Sequence, residues 1–192
     1  MPHPILSSFF LVAVSEMGDK TQLLAFSLAV RFKKPWAVMA GILTATLLNH
    51  ALASWSGEWI SRAVRPELLA WMLGVSFIGF GIWTLFPDKL ENTEHKHRLG
   101  PYLTTCLLFF LAEMGDKTQL ATIALGARFG SAIAVTIGTT LGMMLTDGLA
   151  VFLGEKMSGS VPMNWVRRGA AALFFLFGAL SIVRALNPSW GG

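Results

Sequence analysis

The octet Glu-Met-Gly-Asp-Lys-Thr-Gln-Leu occupies Glu16–Leu23 and recurs without a change at Glu113–Leu120. Both copies lie inside apolar runs. If such a run is helical, Glu16 and Asp19 share a face, and Lys20, four residues from Glu16, reaches the same carboxylate. Gly18 either lets another helix approach closely or breaks the helix, exposing backbone carbonyls as further ligands. Thr21 and Gln22 add neutral oxygens. The second copy supplies Glu113, Asp116, Lys117, Thr118 and Gln119 around Gly115. Carboxylate and amide oxygens are hard ligands, suited to Ca²⁺, Mn²⁺ or Mg²⁺. Two octets facing one another would gather four carboxylates and two lysines with a formal sum of −2. One divalent cation neutralises that sum, and so do two protons. The chemistry indicated is exchange of a divalent cation for protons at one site, with Glu16, Asp19, Glu113 and Asp116 as ligands. Gln22, Gln119, Thr21, Thr118, Lys20 and Lys117 would support them.

The surroundings sharpen this reading. The 192-residue chain is 54% hydrophobic and only 14% charged, with a mean hydropathy of +0.58. A soluble domain carries about a quarter charged residues. Six apolar segments follow one another: Ile5–Val30, Trp36–Ser56, Leu68–Phe86, Tyr102–Ala127, Ser131–Leu153 and Val166–Leu186. Each is close to or above the roughly 20 residues that span a bilayer. The octets therefore fall near the membrane midplane, where a charge is costly unless it faces a protein interior, a wet cavity or an ion. The fold class expected is an all-α integral membrane protein of six transmembrane helices. The basic residues flank apolar segments, so the net charge of +4 reads as a topology signal and not as a nucleic-acid surface. Cys106 is the single cysteine, which excludes an internal disulfide. Met1, Pro2, His3 and Pro4 ahead of the first segment supply no basic stretch of the kind a cleaved signal peptide has.

An ungapped offset of 97 residues superposes the octets, Arg31 on Arg128, Gly41 on Gly138, Gly57 and Glu58 on Gly154 and Glu155, and Ser61 on Ser158. This is an internal duplication. Repeat one covers residues 1–86 and repeat two residues 101–192, joined by a hydrophilic linker at 87–100. Three-helix repeats in tandem enter the membrane from opposite sides, giving an inverted-topology pair. Nine flanking Lys and Arg residues fall on one side and four on the other, so the richer side, with the linker, is expected to be cytoplasmic and both termini outside.

The second segment of each repeat carries further candidates. Asn49 and His50 correspond to Thr146 and Asp147. A lone carboxylate in an apolar run, such as Asp147, is by default functional. Asp147, His50 and Asn49 are candidate proton sites or gates, against the plainer alternative of interhelical hydrogen bonding. His95 and His97 read as part of a solvated linker. Glycines such as Gly41 and Gly138 suit close helix packing.

Two copies of E-x-G-D-[K/R]-[T/S], each in the first segment of a three-helix half, resemble the motif of a small manganese exporter family. That family includes bacterial manganese exporters and Golgi manganese/calcium transporters. The likeness extends over essentially the whole chain. It implies six helices, a cytoplasmic central loop and export of Mn²⁺, with Ca²⁺ the alternative, against protons. The motif acids map onto Glu16, Asp19, Glu113 and Asp116. It further implies a bacterial-type plasma (inner) membrane location, a transported cation in place of any resident cofactor, the lipid bilayer as partner and no nucleic acid. The rival transport reading is an exporter of a small cationic organic solute, of the lysine-exporter type. An enzyme is not expected, because neither a Ser/His/Asp set nor HExxH appears.

Overall fold

The computed structural model describes residues 3–86, 99–157 and 163–187. Every regular element in them is helical: α1 (Pro4–Glu16), α2 (Lys20–Phe32), α3 (Pro35–Ala63), α4 (Pro66–Thr84), α5 (Pro101–Glu113), α6 (Lys117–Phe129), α7 (Ala132–Met157) and α8 (Met163–Leu186). Four helices open on proline, whose fixed φ and missing donor suit the first turn. Both α2 and α6 stop on a left-handed residue, Lys33 at φ 50° and Gly130 at φ 60°. Helices α3 and α4, with Ala132–Leu153 of α7 and Arg168–Leu186 of α8, are long and apolar enough to cross a membrane. Leu47, Leu48, Leu52, Trp55, Leu141, Leu145 and Phe152 point outward. Such a surface is a liability in water but is what hydrocarbon requires.

The first and fourth apolar segments, Ile5–Val30 and Tyr102–Ala127, are not continuous helices. Each divides at its octet into a pair of 13-residue half-helices, α1 with α2 and α5 with α6. The cause is local. Gly18 and Gly115 sit at φ 81° and 74°, in the left-handed region that glycine enters without a Cβ penalty. Met17, Asp19, Met114 and Asp116 beside them are extended. A Cβ on Gly115 would meet nothing within 4 Å, so that glycine serves backbone conformation and not close approach.

Packing crosses the repeats. Helix α1 lies on α7 and α5 lies on α3, so the first half-helix of each repeat rests on the long helix of the other. Gly138 brings α7 so near α1 that a Cβ would stand 2.4 Å from the Ile5 carbonyl oxygen. Gly41 does the same for α3 against Tyr102 of α5, at 2.6 Å. These two contacts are images of each other under the 97-residue offset. Helices α4 and α8 pack together, with Phe77 and Phe174 at 6.4 Å in one of two apolar cores. The other core joins Leu28, Ile42, Phe109 and Ala150 from both repeats. Residues 87–98 of the linker, with His95 and His97, lie outside the described residues.

Candidate metal centre

Four helix termini converge where the octets meet. Glu16 and Glu113 are the last residues of α1 and α5, while Asp19 and Asp116 occupy the N-cap positions of α2 and α6. The two breaks share one wiring. Asp19 N–H donates to Glu16 O at 3.0 Å, and Asp116 N–H to Glu113 O at 3.2 Å. Gly18 N–H donates to Gln22 Oε1 and Gly115 N–H to Gln119 Oε1, both at 2.7 Å. The glutamine side chains thus satisfy backbone donors left open by the break. Their amides turn to the long helices: Gln22 Nε2 donates to Thr146 O at 3.1 Å and Gln119 Nε2 to Asn49 Oδ1 at 3.2 Å. Asn49 Nδ2 donates in turn to Phe110 O at 3.0 Å.

Glu16, Asp19 and Asp116 are all buried, and each offers a carboxylate oxygen within 4.8 Å of the others. Both octets therefore contribute to one cluster. The lysines cross between them: Lys20 Nζ lies 2.7 Å from Asp116 Oδ1, and Lys117 Nζ lies 2.9 Å from Asp19 Oδ1. The sequence suggested that each lysine reaches the glutamate four residues before it. The glycine breaks abolish that helical spacing, so each ammonium meets the N-cap aspartate of the opposite half-helix instead. Clustered carboxylates in a dry interior need compensating positive charge, and here two ammonium groups supply it.

Glu16 accepts from Thr21 Oγ1 at 2.8 Å and from Thr118 Oγ1 of the other repeat. Glu113 is equally buried but has no hydrogen-bond partner among the described residues; it faces the charges of Glu16, Asp116, Asp147 and Asp19. Glu113 stands outside the tight trio. Asp147 is fully buried on α7, with neither oxygen hydrogen-bonded among the described residues and the Glu16 charge nearby. His50, its counterpart on α3, is buried with neither ring nitrogen hydrogen-bonded among the described residues. Chemically the site offers hard oxygens, two tethered cations that an incoming ion must displace, and a second tier of buried acid and imidazole.

The halves are alike in sequence and unlike in environment. Lys117 keeps 5% of its side chain exposed against 26% for Lys20. Both threonine hydroxyls have gone to Glu16 and none to Glu113. The crossing of the lysines and the anchoring of Gln22 on Thr146 escaped the sequence reading, because both depend on how the halves dock. Arg128 was missed too: it donates to Phe177 O at 3.3 Å and to Ser181 Oγ on α8.

Comparison with known proteins adds independent information. The family described as "Divalent cation/proton antiporter GDT1" matches residues 4–92 and 101–189, two stretches separated by the same 97-residue offset. A Vibrio cholerae protein named "Putative manganese exporter" is 45% identical over 166 residues, covering 86% of this chain and 83% of that protein. "GDT1-like protein 3" of Oryza sativa subsp. indica is 28% identical over 92% of this chain and 72% of its own length. "GDT1-like protein 5" of Arabidopsis thaliana is 27% identical, with 94% and 95% covered. No solved structure matches the chain.

The unequal burial of the two ion pairs yields a stability prediction. Lys117→Gln breaks the less accessible of the two ion pairs and is expected to destabilise the protein by on the order of 3 kcal/mol. Lys20→Gln, where water reaches the ammonium, costs clearly less. Thermal unfolding of the two variants in detergent measures the difference. Equal losses would contradict the asymmetry.

Proposed function

This chain belongs to the GDT1 family of divalent cation/proton antiporters, and from that premise we propose that it exports Mn²⁺, with Ca²⁺ as a second cargo, in exchange for protons at the cluster built by the two octets. The family transports cations and is not an enzyme family. The name of the Vibrio cholerae relative favours manganese. The observation that carries the reading is the trio Glu16, Asp19 and Asp116, drawn from both repeats and closed by the crossed lysines. Glu113 joins the ligand set when the cation is present. Thr21 and Thr118 orient the carboxylates, and Gln22 and Gln119 hold the glycine breaks open. The C-terminal ends of α1 and α5 add carbonyl dipoles that favour a cation, while the N-termini of α2 and α6 favour the aspartates.

Each half-helix pair, about 20 Å per half at 1.5 Å per residue, makes one broken crossing. The chain then has six spans, as two inverted repeats at 1–86 and 101–192 with a cytoplasmic linker at 87–100. It resides in the plasma membrane with both termini outside. The distribution of Lys and Arg supports this orientation. Metal entering from the cytoplasm displaces Lys20 and Lys117 from the aspartates and releases protons, since ligation needs deprotonated carboxylates. Protons arriving from outside reverse the exchange. Asp147, His50 and Asn49, on the long helices beside the octets, carry protons to the cluster or gate it.

Uptake into inverted vesicles tests the assignment, with Mn²⁺, Ca²⁺, Mg²⁺ and lysine in competition and with or without a pH gradient. Mn²⁺ uptake driven by the gradient and unaffected by lysine is expected; lysine transport without metal would overturn it. Glu16→Gln and Asp116→Asn should each lower Mn²⁺ transport at least about tenfold while the protein remains folded, as a charge-assisted contact is worth roughly 1.5–3 kcal/mol. Wild-type transport by either variant would remove that residue from the ligand set. Topology has its own check. With Cys106 replaced by serine, a cysteine at Asn92 should resist an impermeant thiol reagent applied to intact cells, and labelling from outside would invert the assignment.

A further inference from the structure

The 97-residue register continues into the last helices: Phe77 corresponds to Phe174, Phe80 to Phe177, Gly81 to Gly178 and Thr84 to Ser181. It therefore pairs two whole constellations, Arg128 with Phe177 and Ser181, and Arg31 with Phe80 and Thr84. Their present states differ. Arg128, at the end of α6, donates to Phe177 O at 3.3 Å and to Ser181 Oγ, and its guanidinium lies 4.9 Å from the Phe177 ring centroid. Arg31, at the end of α2, is exposed, and its described contact is with the ring of its own neighbour Phe32 at 5.7 Å. The hydroxyl of Thr84, counterpart of the one that receives Arg128, is buried with no hydrogen-bond partner among the described residues.

The helices differ in the same sense. Helix α6 is sealed onto α3, where a Cβ on Gly126 would stand 2.4 Å from Ser54 O and one on Gly57 2.0 Å from Ile123 O. Helix α6 also packs on α4, whereas the counterpart pair, α2 with α8, does not pack comparably among the described residues. Of the 13 residues in α6, eight are buried, against four of 13 in α2.

We propose that Arg128 and Arg31 are the two members of an alternating latch that decides which face of the cation site is closed. In the state seen here Arg128 is seated on Phe177 and Ser181 and holds α6 shut against α3 and α4. In the opposite state Arg31 is received by Phe80 and Thr84 and holds α2 in the corresponding place, while Arg128 is released. The Thr84 hydroxyl is the receiving group, already buried and without a partner among the described residues. The inference rests on the reading of the chain as an inverted-repeat exchanger and names the residues that set its two end states. The arginines act on the site by positioning the half-helices that carry Lys20 and Lys117, not by touching the ion.

The test uses single-cysteine reporters in the full chain with Cys106→Ser. Ser54→Cys reports on the α3–α6 seam, where Ser54 is fully buried. Val151→Cys, its counterpart under the offset, reports on the α7 side. Arg128→Gln is expected to raise thiol labelling at position 54 about threefold or more and to lower it at 151, as a population shift between two states requires. Arg31→Gln is expected to change both rates in the opposite directions. Ser181→Ala and Thr84→Val provide milder versions if a charge-removing variant fails to fold, which size-exclusion chromatography reveals. A merely structural role for either arginine raises labelling at both positions. Changes of the same sign, or none, would overturn the latch. Mn²⁺ transport by the chain with neither reporter separates the cases. Transport with failed labelling sinks the latch alone, and no transport sinks the exporter reading itself.

Discussion

Three carboxylates within 4.8 Å of one another, all buried, cannot all stay ionised unless positive charge is delivered to them. The rest of the fold can be understood as the means of delivery. No single octet could do it, because a glycine break directs the lysine of each away from its own glutamate. The cluster exists only when two octets dock face to face, each lending an ammonium to the other's N-cap aspartate. The ion pairs are thus also the joint between the repeats. A duplicated sequence is the simplest way to build a joint whose two sides are complementary to themselves.

That joint explains the crossed packing around it. The half-helices must end at the centre of the molecule, so their apolar sides need long helices to rest on. The long helix of the opposite repeat provides this, approached closely through Gly41 and Gly138. Gln22 and Gln119 tie the breaks to α7 and α3, so a displacement of either long helix reaches the carboxylates directly. The Glu16 hydrogen bonds show the consequence: threonines from both repeats serve one glutamate, while its counterpart has none among the described residues. Two octets identical in sequence therefore sit in unequal environments, the asymmetry that the proposed two-state exchange requires.

Much of this was legible in the sequence, and the parts that were not share a cause. The octets, their offset and the apolar segments could be read because they are local patterns of residue type. Glycine in the octet could be narrowed to close approach or a break, but residue type alone does not choose between them; the positive φ at Gly115 does. The partner of each lysine was equally hidden, since helical spacing offered a nearby glutamate and only the break removes it. Gln22 and Gln119 look like spare oxygen ligands in the sequence; in the structure their carbonyls are taken by Gly18 and Gly115. Asp147 and His50 were visible as polar residues in apolar runs. Their burial without hydrogen-bond partners among the described residues depends on how the helices assemble.

The central claim is that cation and protons compete for one set of carboxylates. The most direct measurement is Mn²⁺ binding to the purified protein across roughly pH 5 to 8, with proton release recorded in the same titration, because ligation requires the deprotonated form. Affinity that weakens steadily on acidification, with protons released as metal binds, is the predicted result. Affinity independent of pH, with no protons released, would contradict a shared site.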